Sequence, residues 1–263
     1  MARIFITGST DGLGLMAAQL LSRQGHTVAL HARNDTRARD ARAALPDNAG
    51  VAVGDLAGIA QTSEVAAQVN DLGTFDAVIH NAGVGYYGRK RVQTEDGLSD
   101  VFAVNVLAPY LLTALITPPQ RLVYLSSGMH HSGDSTMRDP QWATRPWQGS
   151  QAYSESKFHV TALMLAVARK WPAVLSNAVD PGWVPTKMGG SSATDDLRLA
   201  PVTQAWLAAG DDDDAALVTG RYFHHQQPRP PHPATQSPEV QDRLLAYCAD
   251  LTKVELPTAV SAD

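Results

Sequence analysis

The chain has 263 residues, 44% of them hydrophobic, enough to bury the core of one α/β domain spanning residues 1–263. A net charge of −5 with only 21 Lys+Arg gives no basic field for a phosphate backbone, so nucleic acid is not an expected partner. The single cysteine, Cys248, cannot form an internal disulfide, no cleavable leader precedes the first strand, and Val101 to Ile116, which holds Asn105 and Pro109, is too short to span a bilayer; a cytoplasmic protein without a membrane anchor is expected.

Short β-rich runs at Arg3 to Thr7, His26 to Ala32, Gly50 to Gly54, Phe75 to Asn81, Arg121 to Ser126 and Ala173 to Asp180 alternate with helical patterns. The helices are expected near Gly12 to Gln24, Thr36 to Leu45, Gly58 to Leu72, Glu95 to Ile116 and Gln151 to Lys170. Such alternation builds a parallel sheet from βαβ units, and runs apolar on both faces, such as Ile4-Phe5-Ile6, call for helices on both sides. A doubly wound Rossmann-type fold follows, with a last strand, Gly220 to Phe223, closing one edge. The acidic run Asp211 to Asp214 and the proline-rich stretch Pro228 to Pro238 read as surface loops.

Three segments carry chemistry. Thr7-Gly8-Ser9-Thr10-Asp11-Gly12-Leu13-Gly14 follows the first strand, where glycines let the backbone approach a pyrophosphate and the next helix points its positive end at it. Its spacing departs from G-x-G-x-x-G, and a glycine turn there also serves purely structural ends. Tyr153 and Lys157 share a helical face, where a fixed cation makes the phenol usable in acid/base chemistry; alone, such a pair more often means a half-buried tyrosine beside a solvated lysine. Ser126-Ser127 ends a strand, and alternation points the two hydroxyls in opposite directions.

As a set, Thr-Gly-x-x-x-Gly-x-Gly, Asp55-Leu56, Asn81-Ala82-Gly83, Asn105, Ser127, Tyr153, Lys157 and Pro181-Gly182 resemble the short-chain dehydrogenase/reductase family over nearly the whole chain. The resemblance implies that Gly8 to Gly14 (Gly8, Ser9, Thr10, Asp11, Gly12, Leu13, Gly14) hold the pyrophosphate side of a nicotinamide dinucleotide. It puts Asp55 and Leu56 at the adenine, Asn81, Ala82 and Gly83 beside the adenosine ribose, Tyr153 and Lys157 at the nicotinamide ribose, and Pro181, Gly182, Val184 and Thr186 at the carboxamide. It also implies hydride transfer to or from a small-molecule carbonyl or alcohol, with Tyr153 as general acid/base, Ser127 on the carbonyl oxygen, Lys157 lowering the Tyr153 pKa and Asn105 holding a relay water. His80 replaces the asparagine more usual in Asn-Asn-Ala-Gly, which touches a local hydrogen bond.

His31-Ala32-Arg33-Asn34, at the end of the second strand, offers no carboxylate for a ribose 2′-hydroxyl, whereas Arg33, helped by Ser9 and Asn34, suits a 2′-phosphate; NADP(H) is expected over NAD(H). The long segment Gly128 to Ala152, with Met129, His130, His131, Trp142 and Trp147, resembles the retinol-dehydrogenase-like branch; its tryptophans either wall a pocket or pack the loop. Residues 183–215, with Trp183 to Leu199 foremost, are expected to cover the substrate. The histidine pairs at 130–131 and 224–225 lack metal-ligand spacing, so no metal is expected. A homo-oligomer stays open. The competing readings are an NADP-sensing regulator or scaffold on the same fold, and a serine hydrolase, for which no nucleophile elbow is present.

Overall fold

The computed structural model describes residues 1–85, 90–210 and 214–258. Its strands are β1 (Arg3–Ile6), β2 (Thr27–Ala32), β3 (Val51–Val53), β4 (Ala77–His80), β5 (Arg121–Leu125), β6 (Leu175–Asp180), β7 (Arg221–His224) and β8 (Gln227–Arg229). They form one sheet in the order β3-β2-β1-β4-β5-β6-β7-β8, parallel except for β8. The helices are α1 (Gly12–Arg23), α2 (Asp35–Ala44), α3 (Ile59–Asp71), α4 (Asp100–Phe102), α5 (Ala108–Leu115), α6 (Gly149–Lys170), α7 (Val202–Ala209) and α8 (Pro238–Thr252).

Strand alternation sends side chains into two separate cores. Phe5 joins one core with Val69 of α3, Leu112 of α5, Leu163 of α6 and Leu244 of α8. Its neighbours Ile4 and Ile6 join the other, with Leu21 of α1, Ala41 of α2 and Leu207 of α7. This is the doubly wound architecture expected from the sequence. The chain reverses strand order between β1 and β4, so a crevice opens beyond their carboxyl ends, where open α/β sheets bind ligands.

Three expectations are corrected. β7 is not the edge: His225 and Gln226, at φ 48° and 60°, make the two-residue left-handed turn of a hairpin, and β8 pairs outside β7. Pro228 sits in that outer strand, where a missing N–H costs no ladder bond. The stretch Pro228 to Pro238 is therefore not simply a loop: it holds β8, the 3₁₀ turn Pro233–Gln236 and the first residue of α8. The helix expected from Glu95 begins instead at Asp100, because Gly97 closes a turn onto Thr94, and a π-helical turn, Ala103–Leu107, joins α4 to α5. Asp211 to Asp213 of the acidic run lie outside the described residues.

Candidate active site

The glycine turn is shaped by close approach. Gly8 has φ +61°, and a Cβ there would stand 2.9 Å from the Ala82 Cα. One at Gly14 would stand 2.5 Å from the Gly8 carbonyl oxygen and 2.4 Å from Asn81 Nδ2. Neutral side chains hold the turn from behind. Asn81 Nδ2 donates to the Thr7 and Gly8 carbonyls (2.9 and 3.1 Å), and Thr7 Oγ1 accepts from Ala82 N–H (2.9 Å). His31 Nδ1 accepts from Gly8 N–H (3.0 Å) while its Nε2–H donates to the Gly54 carbonyl (2.9 Å). Burial pushes the His31 pKa down to about 4, so the ring is neutral, as that pattern requires.

No side chain caps the start of α1, which leaves its first N–H groups for an anion. Asp11 does not spoil that potential, since its Oδ2 accepts from Lys187 Nζ (2.6 Å) and Arg37 Nη2 (2.7 Å), which hold its carboxyl below the ordinary range. A cradle closed to any Cβ at 8 or 14, with free N–H groups at a helix start, fits a dinucleotide pyrophosphate. Arg33 is exposed at the end of β2 and makes no ion pair among the described residues. Ser9 needs a correction: it is buried, its hydroxyl donates to the Ile6 carbonyl (2.8 Å) and accepts from His31 N–H (2.9 Å), so its side chain cannot reach a 2′-phosphate. Asn34 Oδ1 caps α2 through Arg37 N–H (3.0 Å), whereas Arg37, not singled out from the sequence, lies against Thr10 and Asp11. Asp55 Oδ1 accepts from Ala57 N–H (3.0 Å), and Leu56 is buried in the core.

Across the crevice, β5 and α6 bring Ser127, Tyr153 and Lys157 together. The Lys157 ammonium is buried 5.5 Å from the Tyr153 ring centroid and donates to the Leu125 carbonyl (2.8 Å). Desolvation lowers its pKa to about 8, against the favourable charge of Asp180. Ser126 turns inward to Thr161 (2.7 Å), while Ser127 Oγ accepts from Met129 N–H (3.2 Å) and keeps its own proton to donate. Asn105 sits in the π-helical turn: its Oδ1 accepts from Val84 N–H (2.8 Å), and its Nδ2 donates to the Val84 carbonyl (3.1 Å) and Ser156 Oγ (2.9 Å). A Cβ at Gly83 would be 3.6 Å from Lys157 Nζ and 3.3 Å from Asn105 Oδ1, so that glycine lets the chain pass over the ammonium. His80, the departure from Asn-Asn-Ala-Gly, stacks on Tyr124 and meets Thr113 Oγ1 (3.2 Å).

Ser127 and Tyr153 open into one cavity of about 450 Å³, which Pro181, Gly182, Val184 and Thr186 also line. Sequence reasoning missed Asp180 and Asp195 in its wall and did not place His224 there. Asp180 and His224 end adjacent parallel strands, the edge where open α/β sheets place ligands, and that position was the available signal. Of the two roles left open for Trp142 and Trp147, packing is the one observed. Trp142 Nε1 donates to Glu155 Oε2 (3.0 Å), the Arg145 guanidinium lies 3.6 Å over its ring and pairs with Glu155, and Trp147 meets it edge to face. Among the described residues of 183–215, only those up to Asp195 line the cavity, while α7 packs into the sheet core. His130 is neutral, its pKa lowered to about 4 by burial: Nδ1–H donates to the Ser127 carbonyl (2.8 Å) and Nε2 accepts from His232 N–H (3.0 Å). Among the described residues, no three His, Cys, Asp or Glu side chains are grouped to hold a metal ion.

The chain is similar to known proteins in family and in fold. The family described as short chain dehydrogenase matches residues 2–197. An uncharacterized oxidoreductase of Emericella nidulans is 44% identical over 261 residues, covering 98% of this chain and 99% of that protein. Human retinol dehydrogenase 13 is 29% identical over 97% of this chain and 86% of its own. A solved structure from Mycobacterium paratuberculosis has the same fold, with a TM-score of 0.84 at 23% identity over 98% of this chain and 95% of that one. Fold and family together define an oxidoreductase of the NAD(P)-binding type. The chain belongs to the short-chain dehydrogenase/reductase family, on its retinol-dehydrogenase-like branch.

Proposed function

We propose that the protein is an NADP(H)-dependent carbonyl reductase, or alcohol dehydrogenase in reverse, acting on a small molecule in the cytoplasm and built as one domain. The observation that carries the reading is the convergence of Ser127 and Tyr153 on one cavity, with buried Lys157 behind the phenol. When bound, the nicotinamide supplies or accepts the hydride. Ser127, whose oxygen is occupied by Met129 N–H, donates its proton in a hydrogen bond to the substrate oxygen, stabilising charge that develops there. Tyr153 delivers a proton to that oxygen as general acid, or removes it in the oxidative direction. Lys157 favours the phenolate by its charge and hydrogen-bonds the nicotinamide ribose. Asn105, tied to the Val84 backbone and Ser156, fixes the chain over Lys157 and holds the relay water.

The turn Gly8 to Gly14 holds the pyrophosphate through the uncapped N–H groups at the start of α1, Asn81 to Gly83 flank the adenosine ribose, and Asp55 and Leu56 flank the adenine. Pro181, Gly182, Val184 and Thr186 hold the carboxamide. Arg33 binds the 2′-phosphate, with Arg37 at the adjoining end of the turn as its second cation. No described helix is long and apolar enough to cross a membrane. The test follows NADPH oxidation over a panel of aldehydes, ketones, quinones and polycyclic carbonyls. Turnover is expected for at least one class and should fall about a thousandfold in Tyr153→Phe. NADPH binding with no turnover on any class would favour the sensor reading instead.

A further inference from the structure

Resting on that reductase reading, we propose that Asp180 and His224 form an accepting wall that selects carbonyl substrates carrying their own hydrogen-bond donor, an N–H or O–H group, near the reacting carbonyl. Both residues line the cavity that holds Ser127 and Tyr153. They are register partners at the ends of β6 and β7. Leu125 stands opposite Val179, so Ser127 lies one strand across from Asp180 and one row beyond it, a separation of roughly 5 Å between strands that a substrate of a few heavy atoms spans.

The carboxylate is incompletely used. Its Oδ1 accepts from Gly182 N–H (3.0 Å), while Oδ2 stands 3.5 Å from His224 Nδ1. A Cβ at residue 128 would come within 3.2 Å of that same Oδ2, and Gly128, itself in the cavity lining, keeps that flank clear. The Asp180 side chain retains 16% of its exposure. His224 Nδ1 faces the Asp180 carbonyl at 3.3 Å and so carries the proton, which makes Nε2 an acceptor in the neutral ring. Behind the pair, the Tyr222 hydroxyl approaches the Asp180 carboxylate from the buried side, where burial and that charge keep the phenol protonated and leave the cavity side of the carboxylate to a ligand. The other carboxylate in the lining, Asp195, likewise accepts one backbone N–H, that of Trp183, through Oδ2 (2.7 Å). Among the described residues, the lining contains these two carboxylates and no lysine or arginine, an environment that favours donors and repels anions such as keto acids.

The test uses the NADP(H)-loaded enzyme and matched ketones that differ only by methylation of a neighbouring amide N–H or hydroxyl. Turnover gives kcat/KM, and quenching of Trp183, which lines the cavity, reports binding without chemistry. Wild type is expected to prefer the free donor about tenfold by both readouts, because a site built to accept a hydrogen bond rejects the analogue that lacks it. Asp180→Asn, which keeps an oxygen for Gly182 N–H, should shrink the preference to about twofold, and His224→Phe should reduce it by less. Equal handling of the pair by wild type, or a preference that persists in folded Asp180→Asn, would overturn the inference while turnover leaves the reductase reading standing. Donor-dependent binding without turnover would do the reverse. Binding of neither ketone on any scaffold would overturn both.

Discussion

The two walls of the crevice are held by opposite means. On the β1/β4 wall, neutral groups that point into the protein fix the glycine turn: Thr7, Ser9, His31 and Asn81 all bond backbone of their own wall. On the β5/β6 wall, the turn after β6 is held by Asp180 through Gly182 N–H and by Asp195 through Trp183 N–H, and both carboxylates also line the cavity. Inside the turn, the first wall offers a ligand the uncapped N–H groups at the start of α1, which suit any dinucleotide. The second leaves charges facing it, which on the proposed reading discriminates between substrates. One wall is thus part of the core, while the other is adjustable with little cost to the fold.

The sharpest way to break this contrast is to add one methyl group to the first wall. Gly14→Ala would drive its Cβ against the Gly8 carbonyl oxygen, so the turn must move, at a cost of about 3 kcal/mol in stability. NADPH binding should fall more than a hundredfold. Thermal unfolding and a fluorescence titration measure the two effects. An unchanged affinity would mean that the turn does not cradle the cofactor.

Acid tests the same wall through His31. Its folded pKa of about 4 lies below the ordinary 6.5, so between those values the unfolded chain takes a proton that the folded chain refuses. The stability from this group is therefore complete above pH 6.5, falls as the pH drops and is lost near pH 4. The shift corresponds to about 3 kcal/mol. His80 and His159, pushed down to about 3 and about 4 by burial, act in the same direction. Denaturant midpoints across this range should fall with acid, and His31→Phe should flatten part of the slope. A flat wild-type profile would show that these histidines are already charged in the fold.

What could be read from the sequence follows the same division. The parallel strands, most of the helices and the glycine turn were legible because alternating periods and close-packed glycines leave marks in one dimension. The hairpin at His225-Gln226 was not, since neither residue belongs to the Asn-Gly or Asp-Gly pairs that signal a left-handed turn. Helix α8 had its signal in Pro238 after Ser237 and in the stripe of Val240, Leu244 and Cys248, but it lay beside proline-rich sequence that reads as loop. In the sequence Ser9 reads as a helper of Arg33 at the 2′-phosphate; only the third dimension turns its hydroxyl toward Ile6 and His31. Asp180, His224 and Asp195 carry no local pattern, because their common cavity is made by strand register and a loop that returns from residue 195 to residue 183.

Cofactor choice sits at the rim of the first wall. Arg33→Ala should weaken NADPH binding about thirtyfold and leave NADH little changed, since a charge-assisted pair with phosphate contributes roughly 2 kcal/mol. Arg37→Ala should weaken NADPH by a few fold and NADH by less, because it removes the second cation while Lys187 still pairs Asp11 beside the start of α1. Paired titrations with the two cofactors check this. Equal losses for NADPH and NADH in Arg33→Ala would remove Arg33 from the 2′-phosphate.

The smallest expected effect decides the contrast itself. Asp195 joins the two ends of the loop that covers the cavity: its N–H donates to the Trp183 carbonyl (3.0 Å), and its Oδ2 accepts from Trp183 N–H (2.7 Å). Gly182 gives way to it, since a Cβ there would be 2.6 Å from that oxygen. Asp195→Ala removes the side-chain half of this clasp at a half-buried position outside the apolar cores, worth about 1 kcal/mol. The expected result is a severalfold rise in KM, altered Trp183 fluorescence and a melting temperature within about 2 °C of wild type. A fall in melting temperature as large as that of Gly14→Ala would show that the carboxylates hold the fold as firmly as His31 and Asn81 do. The second wall could then not vary without loss of the core.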